Sequence, residues 1–240
     1  MGEPAGALAQ DVIDIPDHDN PAWHLTQGNR LHCACHYLWL VDNLLDPSHV
    51  AWVYRGSFAG AGTDRTPLDL TVSASGVTSS RWQLNQPPPP FYAPLVKFKG
   101  PADRLQHYEV RYTSVAINKS VYTPAGAGGP GRVDGPDTNR MVSYNFLTPV
   151  DDDHTLYFWL QHRNTDPQDE AITQRNASGA KAAFEEDRLI LEAVHQGMTQ
   201  KTTPTTGLSL DVVAARRFRQ GLARLIAVET GTQPDLPSID

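Results

Sequence analysis

The sequence predicts an α+β fold in which helices cover one side of an antiparallel sheet. Three observations carry that prediction: a short stretch of helical period early in the chain, a central run of segments that alternate with period two, and a last third that returns to helical spacing. At 240 residues, 40% hydrophobic and 20% charged, the chain is long enough for one well-cored domain and too apolar to be disordered throughout.

The elements follow in order. Residues 1–30 carry turn formers (Asp14, Pro16, Asp17, Asp19, Asn20, Pro21) and read as an irregular lead-in to a domain spanning 31–230, with a tail at 231–240. Residues 30–35 are strand-like. From His36 to Asp46 the period becomes helical, with Leu38, Val41, Leu44 and Leu45 on one face, and Pro47 must either kink that helix or open a new turn. Leu70, Val72 and Ala74 then alternate with Asp69, Thr71 and Ser73, and Gly76 turns the chain into a strand over 77–84. Tyr108, Val110 and Tyr112 alternate with His107, Glu109 and Arg111, and further strands are predicted at 116–123, 141–148 and 154–162. The proline run 87–90 and the Gly/Pro-rich stretch 124–136 cannot pair regularly and are expected as surface loops. Ala180, Ala183, Phe184, Ile190, Leu191, Val194 and Met198 form one helical stripe. After Pro204 and Gly207, a final amphipathic helix is expected from an Asp211 N-cap to Glu229.

Composition excludes several function classes. Twenty Lys+Arg against 27 Asp+Glu leave a net charge of −7, without the basic stripe of a nucleic-acid binder. No apolar run reaches the 18 or so residues that span a bilayer, and residues 1–14 lack the basic and apolar regions of a signal peptide. The two cysteines, Cys33 and Cys35, sit one residue apart in a strand-like stretch, which would send their side chains to opposite faces and argues against a disulfide. A reduced, cytoplasmic setting is the expectation.

Two places interrupt the apolar pattern. Asp187 lies four residues after Ala183 and three before Ile190, within the stripe of the long helix, where a carboxylate must be paired, protonated or bound to metal. On the pattern alone, a buried salt bridge or a hydrogen bond to backbone is the simpler explanation. Asn43, Asp46 and His49 recur at a spacing of three, which aligns them if Pro47 only kinks the helix; an Asp–His pair can fix an imidazole for metal ligation, or Asp46 can simply cap the next turn. His49 with Asp187 would supply two members of a 2-His-1-carboxylate iron(II) triad. His24, His32 and His36 are upstream histidines, none singled out by spacing.

The stretch Asp42-Asn43-Leu44-Leu45-Asp46-Pro47-Ser48-His49-Val50-Ala51-Trp52-Val53 resembles the iron-binding signature of Rieske non-heme iron oxygenases, in particular the vanillate O-demethylase-like aromatic oxygenases. Asn20-Pro21-Ala22-Trp23, Leu147-Thr148-Pro149, Tyr157-Phe158-Trp159, Arg163-Asn164 and Phe184-Glu185-Glu186-Asp187 match in the family's order. The resemblance implies a helix-grip (Bet v1-like) catalytic domain, a curved antiparallel sheet packed on a long C-terminal helix with a substrate cavity between. It implies His49 and Asp187 as ligands of a mononuclear iron(II), Asp46 as the link for electron transfer and Asn43 beside the metal. Asn118 and Asn145 fall at substrate-contacting positions, and Phe91, following the proline run with Tyr92, is a candidate lid over the pocket.

This chain departs from the family pattern twice. Tyr54 stands five residues after His49, where the family has its second iron histidine; a neutral phenol binds iron(II) poorly and a phenolate favours iron(III). Cys33-Ala34-Cys35 cannot supply the two Cys and two His of a [2Fe-2S] Rieske cluster, and Met1-Gly2-Glu3-Pro4 resembles the stretch that follows the Rieske domain. The resemblance thus implies a catalytic domain that takes electrons from a Rieske ferredoxin or reductase domain on another chain, acts on a small aromatic compound, and assembles as a possible homotrimer. Two other readings compete: a metal-free ligand-binding module derived from such an oxygenase, and an assembly subunit that would present an apolar face on its last helix.

Overall fold

The computed structural model describes residues 12–60, 63, 65–127, 133, 135–200 and 213–233. Its seven strands are β1 (His24–Cys33), β2 (Asp69–Val72), β3 (Gly76–Gln86), β4 (Ala102–Arg111), β5 (Val115–Pro124), β6 (Asn139–Pro149) and β7 (Thr155–Arg163). They form one antiparallel sheet in the order β1-β7-β6-β5-β4-β3-β2, so β2 to β7 are a meander and β1 closes on its far edge. The helices are α1 (Tyr37–Leu45), α2 (Val50–Val53), the 30-residue α3 (Glu170–Thr199) and α4 (Val213–Thr230). A π-helical turn, Arg55–Ala59, follows α2. The expected α+β, helix-grip architecture is the one observed. The expected Asp211 cap, residues 1–11 and part of the 124–136 stretch lie outside the described residues.

Alternation decides what each strand contributes. Val77, Val110, Ala116, Leu147, Tyr157 and Trp159 face α1, α3 and α4, where they meet Leu40, Val41, Leu45, Leu191 and the fully buried Phe218 in the main core. Residues of opposite parity form a second cluster on the other side of the sheet: Ile117, Val142 and Tyr144, covered by Trp23, Ile13 and Ile15. The lead-in is therefore not idle, and it turns into a strand at His24, six residues earlier than expected. The pattern there is hidden because the pairing of β1 with β7 shifts between Gln27 and Arg30, so alternation breaks inside the strand.

Two further expectations are corrected. On α3 the buried face is Asn176, Ala180, Asp187, Leu191 and His195, while Ile190 and Val194 of the expected stripe are 42% and 38% exposed. His195 takes an inward position because both its ring nitrogens are satisfied: Trp39 Nε1 donates to Nδ1 at 3.2 Å, and Nε2 lies 2.8 Å from Asp153 Oδ1. Cys33 and Cys35 both enter the main core as free thiols, because β1 ends at Cys33 and the chain bends at once. Burial pushes the Cys33 thiol up to about 12 and that of Cys35 to about 11, so both stay protonated and unreactive.

Candidate functional site

Pro47 opens a new turn rather than kinking α1, and that break builds the site. The helix stops with Asp46 as its C-cap, whose Oδ1 accepts from the Ser48 N–H at 2.7 Å, and α2 restarts with His49 at its N-cap. Asp46 therefore does cap the next turn, while its Oδ2 lies 3.9 Å from His49 Nδ1. Asp187 approaches from across the gap, on the inward face of α3, whose start is capped by Asp169. Between these elements and the sheet lies a cavity of about 120 Å³ lined by Asn43, His49, Tyr54, Asn118, Asn145 and Asp187. That is close to the roughly 150 Å³ that holds one benzene ring in an engineered apolar cavity. All but two of the residues expected at a site thus converge. Asp46 stands behind His49 and outside the cavity.

Phe91 is the other exception. It does not line the cavity: its ring packs on Phe58 at 4.2 Å between centroids, on Tyr92 at 5.0 Å, and against Gly179 of α3, where a Cβ would come within 2.5 Å of it. Tyr92, its neighbour, lines the cavity instead. Phe91 then supports the wall from behind. Its replacement by alanine is expected to cost about 2 kcal/mol of stability, toward the low end for buried aromatics because the ring is only half-buried. Chemical denaturation of the two proteins checks this.

Burial sets the electrostatics of the site. Asp187 Oδ1 and His49 Nδ1 are both buried without a hydrogen-bond partner. Burial raises the Asp187 carboxyl above its ordinary range, opposed by His49, by the Tyr54 hydroxyl beside it and by the Asn43 amide. Tyr54 has a single hydroxyl proton, and it goes to the Ala183 carbonyl of α3 at 2.7 Å. Burial, then the neighbouring Asp187 charge, drives its phenol far above the usual value. His49 and Asp187 therefore fit an iron(II) ion: an imidazole and a hard carboxylate oxygen line one cavity, in a place where a cation would relieve a desolvated anion. Tyr54 as placed offers no phenolate.

Sequence reasoning missed several cavity residues. Arg104 is the main one: it lies on β4, 4% exposed, and donates to the Ala59 and Phe58 carbonyls at 2.6 and 2.9 Å while its guanidinium lies over Tyr92 and Tyr122. It clamps the π-helical turn to the sheet. The signal was present, since Arg104 and Tyr108 share a parity in β4, but polar residues on an inward face look like a solvent face in sequence. Gln161 on β7 and Ser143 on β6 were missed for the same reason. Asn145, 1% exposed, accepts from the Tyr157 hydroxyl at 2.9 Å and donates to the Ala116 carbonyl at 3.3 Å, which holds it as part of the cavity floor.

Comparison with known proteins places this arrangement. The chain is 31% identical over 235 residues to the toluene-4-sulfonate monooxygenase system iron-sulfur subunit of Comamonas testosteroni, covering 96% of this chain and 67% of that one. It is 28% identical over 246 residues to a vanillate O-demethylase oxygenase subunit of Pseudomonas, covering 97% and 73%. A crystal structure of dicamba monooxygenase bound to 3,6-dichlorosalicylic acid shares the fold, with a TM-score of 0.84 at 22% identity, over 95% of this chain and 66% of that one. The chain thus spans 66% to 73% of the length of these relatives. The family description "Vanillate O-demethylase oxygenase C-terminal domain" matches residues 33–228, from the end of β1 to the last turns of α4. With that match over most of the chain and the shared fold, the chain belongs to that family, the C-terminal domains of Rieske-type oxygenases.

Proposed function

We propose that this chain is the catalytic domain of an O₂-dependent oxygenase that hydroxylates or oxidatively demethylates a small aromatic compound. The observation that carries the reading is the convergence of the His49 imidazole and the Asp187 carboxylate, whose buried Oδ1 has no hydrogen-bond partner, at one ring-sized cavity. The names of the relatives, monooxygenases and O-demethylases acting on toluenesulfonate, vanillate and dicamba, support the same chemistry.

Iron(II) held by His49 and Asp187 would supply O₂ activation, which no side chain can provide. The protein's own work is positional. Asp46, facing Nδ1 of His49, orients the imidazole and, with its side chain 22% exposed, lies where a Rieske protein on another chain can approach. The Asn43 amide steadies the Asp187 carboxylate. Phe58, Tyr92, Met141 and Phe184 supply apolar walls for a ring, and Asn118, Ser143 and Gln161 supply hydrogen bonds to its substituents. Confining the ring there keeps bulk water from the reacting position. Electrons from a separate Rieske ferredoxin or reductase, a trimer that lets them cross between subunits, and a cytoplasmic setting all belong to the proposal.

Single-turnover chemistry tests it. Protein loaded with iron(II) without oxygen, together with an excess of reduced Rieske ferredoxin to supply the electrons that carry the second oxygen atom to water, then mixed with O₂ and a panel of methoxybenzoates and benzenesulfonates, is expected to give up to one hydroxylated or demethylated product per iron. Sustained turnover should require an added Rieske protein and reductase. Iron-loaded protein that binds members of the panel yet forms no product from any of them would refute the reading.

A further inference from the structure

Tyr54 does not point its oxygen at an open position. Its hydroxyl is donated to the Ala183 carbonyl at 2.7 Å. Tyr54 is the C-cap of α2, the turn that starts at His49, and Ala183 lies one helical turn before Asp187 on α3. The bond therefore joins the turn carrying one candidate ligand to the helix carrying the other. The ring completes the joint: it packs edge-on to Phe58 at 5.5 Å and to His49 at 6.0 Å, in a cluster that holds Val50 and Ala59 and touches Ala183. The Tyr54 carbonyl in turn accepts from the N–H groups of Ser57, Phe58 and Ala59, at 3.0, 3.1 and 3.1 Å, and so anchors the π-helical turn. One residue thereby ties three elements around the cavity. Among the described residues, no group of three His, Cys, Asp or Glu side chains gathers to hold a metal ion.

We propose that Tyr54 is a strut and not a ligand: its phenol fixes the His49 turn against the Asp187 helix, and among the described residues His49 and Asp187 are the side chains that hold the metal. This rests on the iron-dependent reading above. Its consequence is a metal held more loosely than by three protein ligands, and a readily improved one, because an imidazole at position 54 would stand at the same corner as His49 and Asp187.

Anaerobic iron(II) titration of the wild type, Tyr54→Phe and Tyr54→His, with visible spectra after oxidation to iron(III), tests the assignment. Tyr54→Phe keeps the ring and its packing, and circular dichroism should show it folded. The expected results are wild-type binding of one iron and a loss of affinity on the order of threefold to tenfold in Tyr54→Phe, the worth of one hydrogen bond. A gain of about tenfold or more is expected in Tyr54→His, as one added ligand contributes at least 1.4 kcal/mol by that conversion. The oxidised wild type should show no phenolate-to-iron charge-transfer band. A visible band that disappears in Tyr54→Phe together with stoichiometric iron would overturn the proposal and make Tyr54 a ligand, leaving the oxygenase reading intact. Unchanged affinity in Tyr54→Phe would overturn the strut. Iron bound by Tyr54→His alone would overturn the two-ligand site and mark the wild type as a metal-free module. Folded proteins that bind no iron in any form would overturn the oxygenase reading itself.

Discussion

Replacing His49 with alanine is expected to abolish stoichiometric iron(II) binding while leaving the fold almost untouched. The imidazole caps no helix, since it makes no side-chain hydrogen bond at the α2 N-cap, and its Nδ1 gives up only the 3.9 Å approach to Asp46. Its removal should therefore change stability by no more than about 1 kcal/mol, the range of substitutions away from a packed or hydrogen-bonded role. Asp187→Asn sharpens the test. Burial already opposes the Asp187 charge, so the amide should leave the metal-free protein as stable as the wild type or slightly more so, while iron binding is lost. Calorimetric iron titration beside thermal denaturation of the metal-free proteins measures both quantities. If His49→Ala unfolded the chain or kept full iron affinity, the pair would have to be read as structural.

The second large effect is expected at Gly28. It sits at the register shift of β1, and a Cβ there would lie 1.7 Å from the carbonyl oxygen of Trp159 and 2.5 Å from its ring. Neither can move aside cheaply: the first is backbone of β7, and the second belongs to a side chain 5% exposed in the main core. Gly28→Ala must then part β1 from β7, and a loss of about 3 kcal/mol or more is expected, at the upper end for overpacking because ladder bonds go with it. Urea denaturation gives the value. Since α3 packs on β1, iron affinity should fall as well, which Gly-to-Ala changes at open positions such as Gly56 or Gly197 should not cause.

Much of the fold was legible because alternation and helical period survive wherever one face is buried and the other is wet. Five of the seven strands fall within about two residues of their expected positions for this reason, β4 begins at Ala102 and so five residues before the alternation from His107, and α1 begins at its His36 cap as the period change at that residue predicts. The failures have equally local causes. The bulge at Gly28 and Asn29 masked the start of β1, and the bend after Cys33 put two cysteines on one side that a straight strand would have separated. A histidine with two partners displaced Ile190 and Val194 from the buried face of α3, because satisfied polar atoms cost little to bury.

The candidate site divides in the same way. Asn43, His49 and Asp187 could be picked out because each breaks an apolar pattern, and a polar group in such a place needs a reason. Arg104, Gln161 and Ser143 could not, since an inward polar ladder looks like an outward one until the sheet is curved around a helix.

The sequence by itself determined the class of fold, the order of its elements, the family resemblance, and the departure at Tyr54, because these depend on residue identity and short-range spacing. Only the tertiary structure decided that His49 and Asp187, 138 positions apart, share one cavity, that Phe91 stands behind its wall, and that the Tyr54 hydroxyl serves the Ala183 carbonyl. Those depend on where α3 lands across the sheet, which is set by the summed packing of the core and is written in no single stretch of chain.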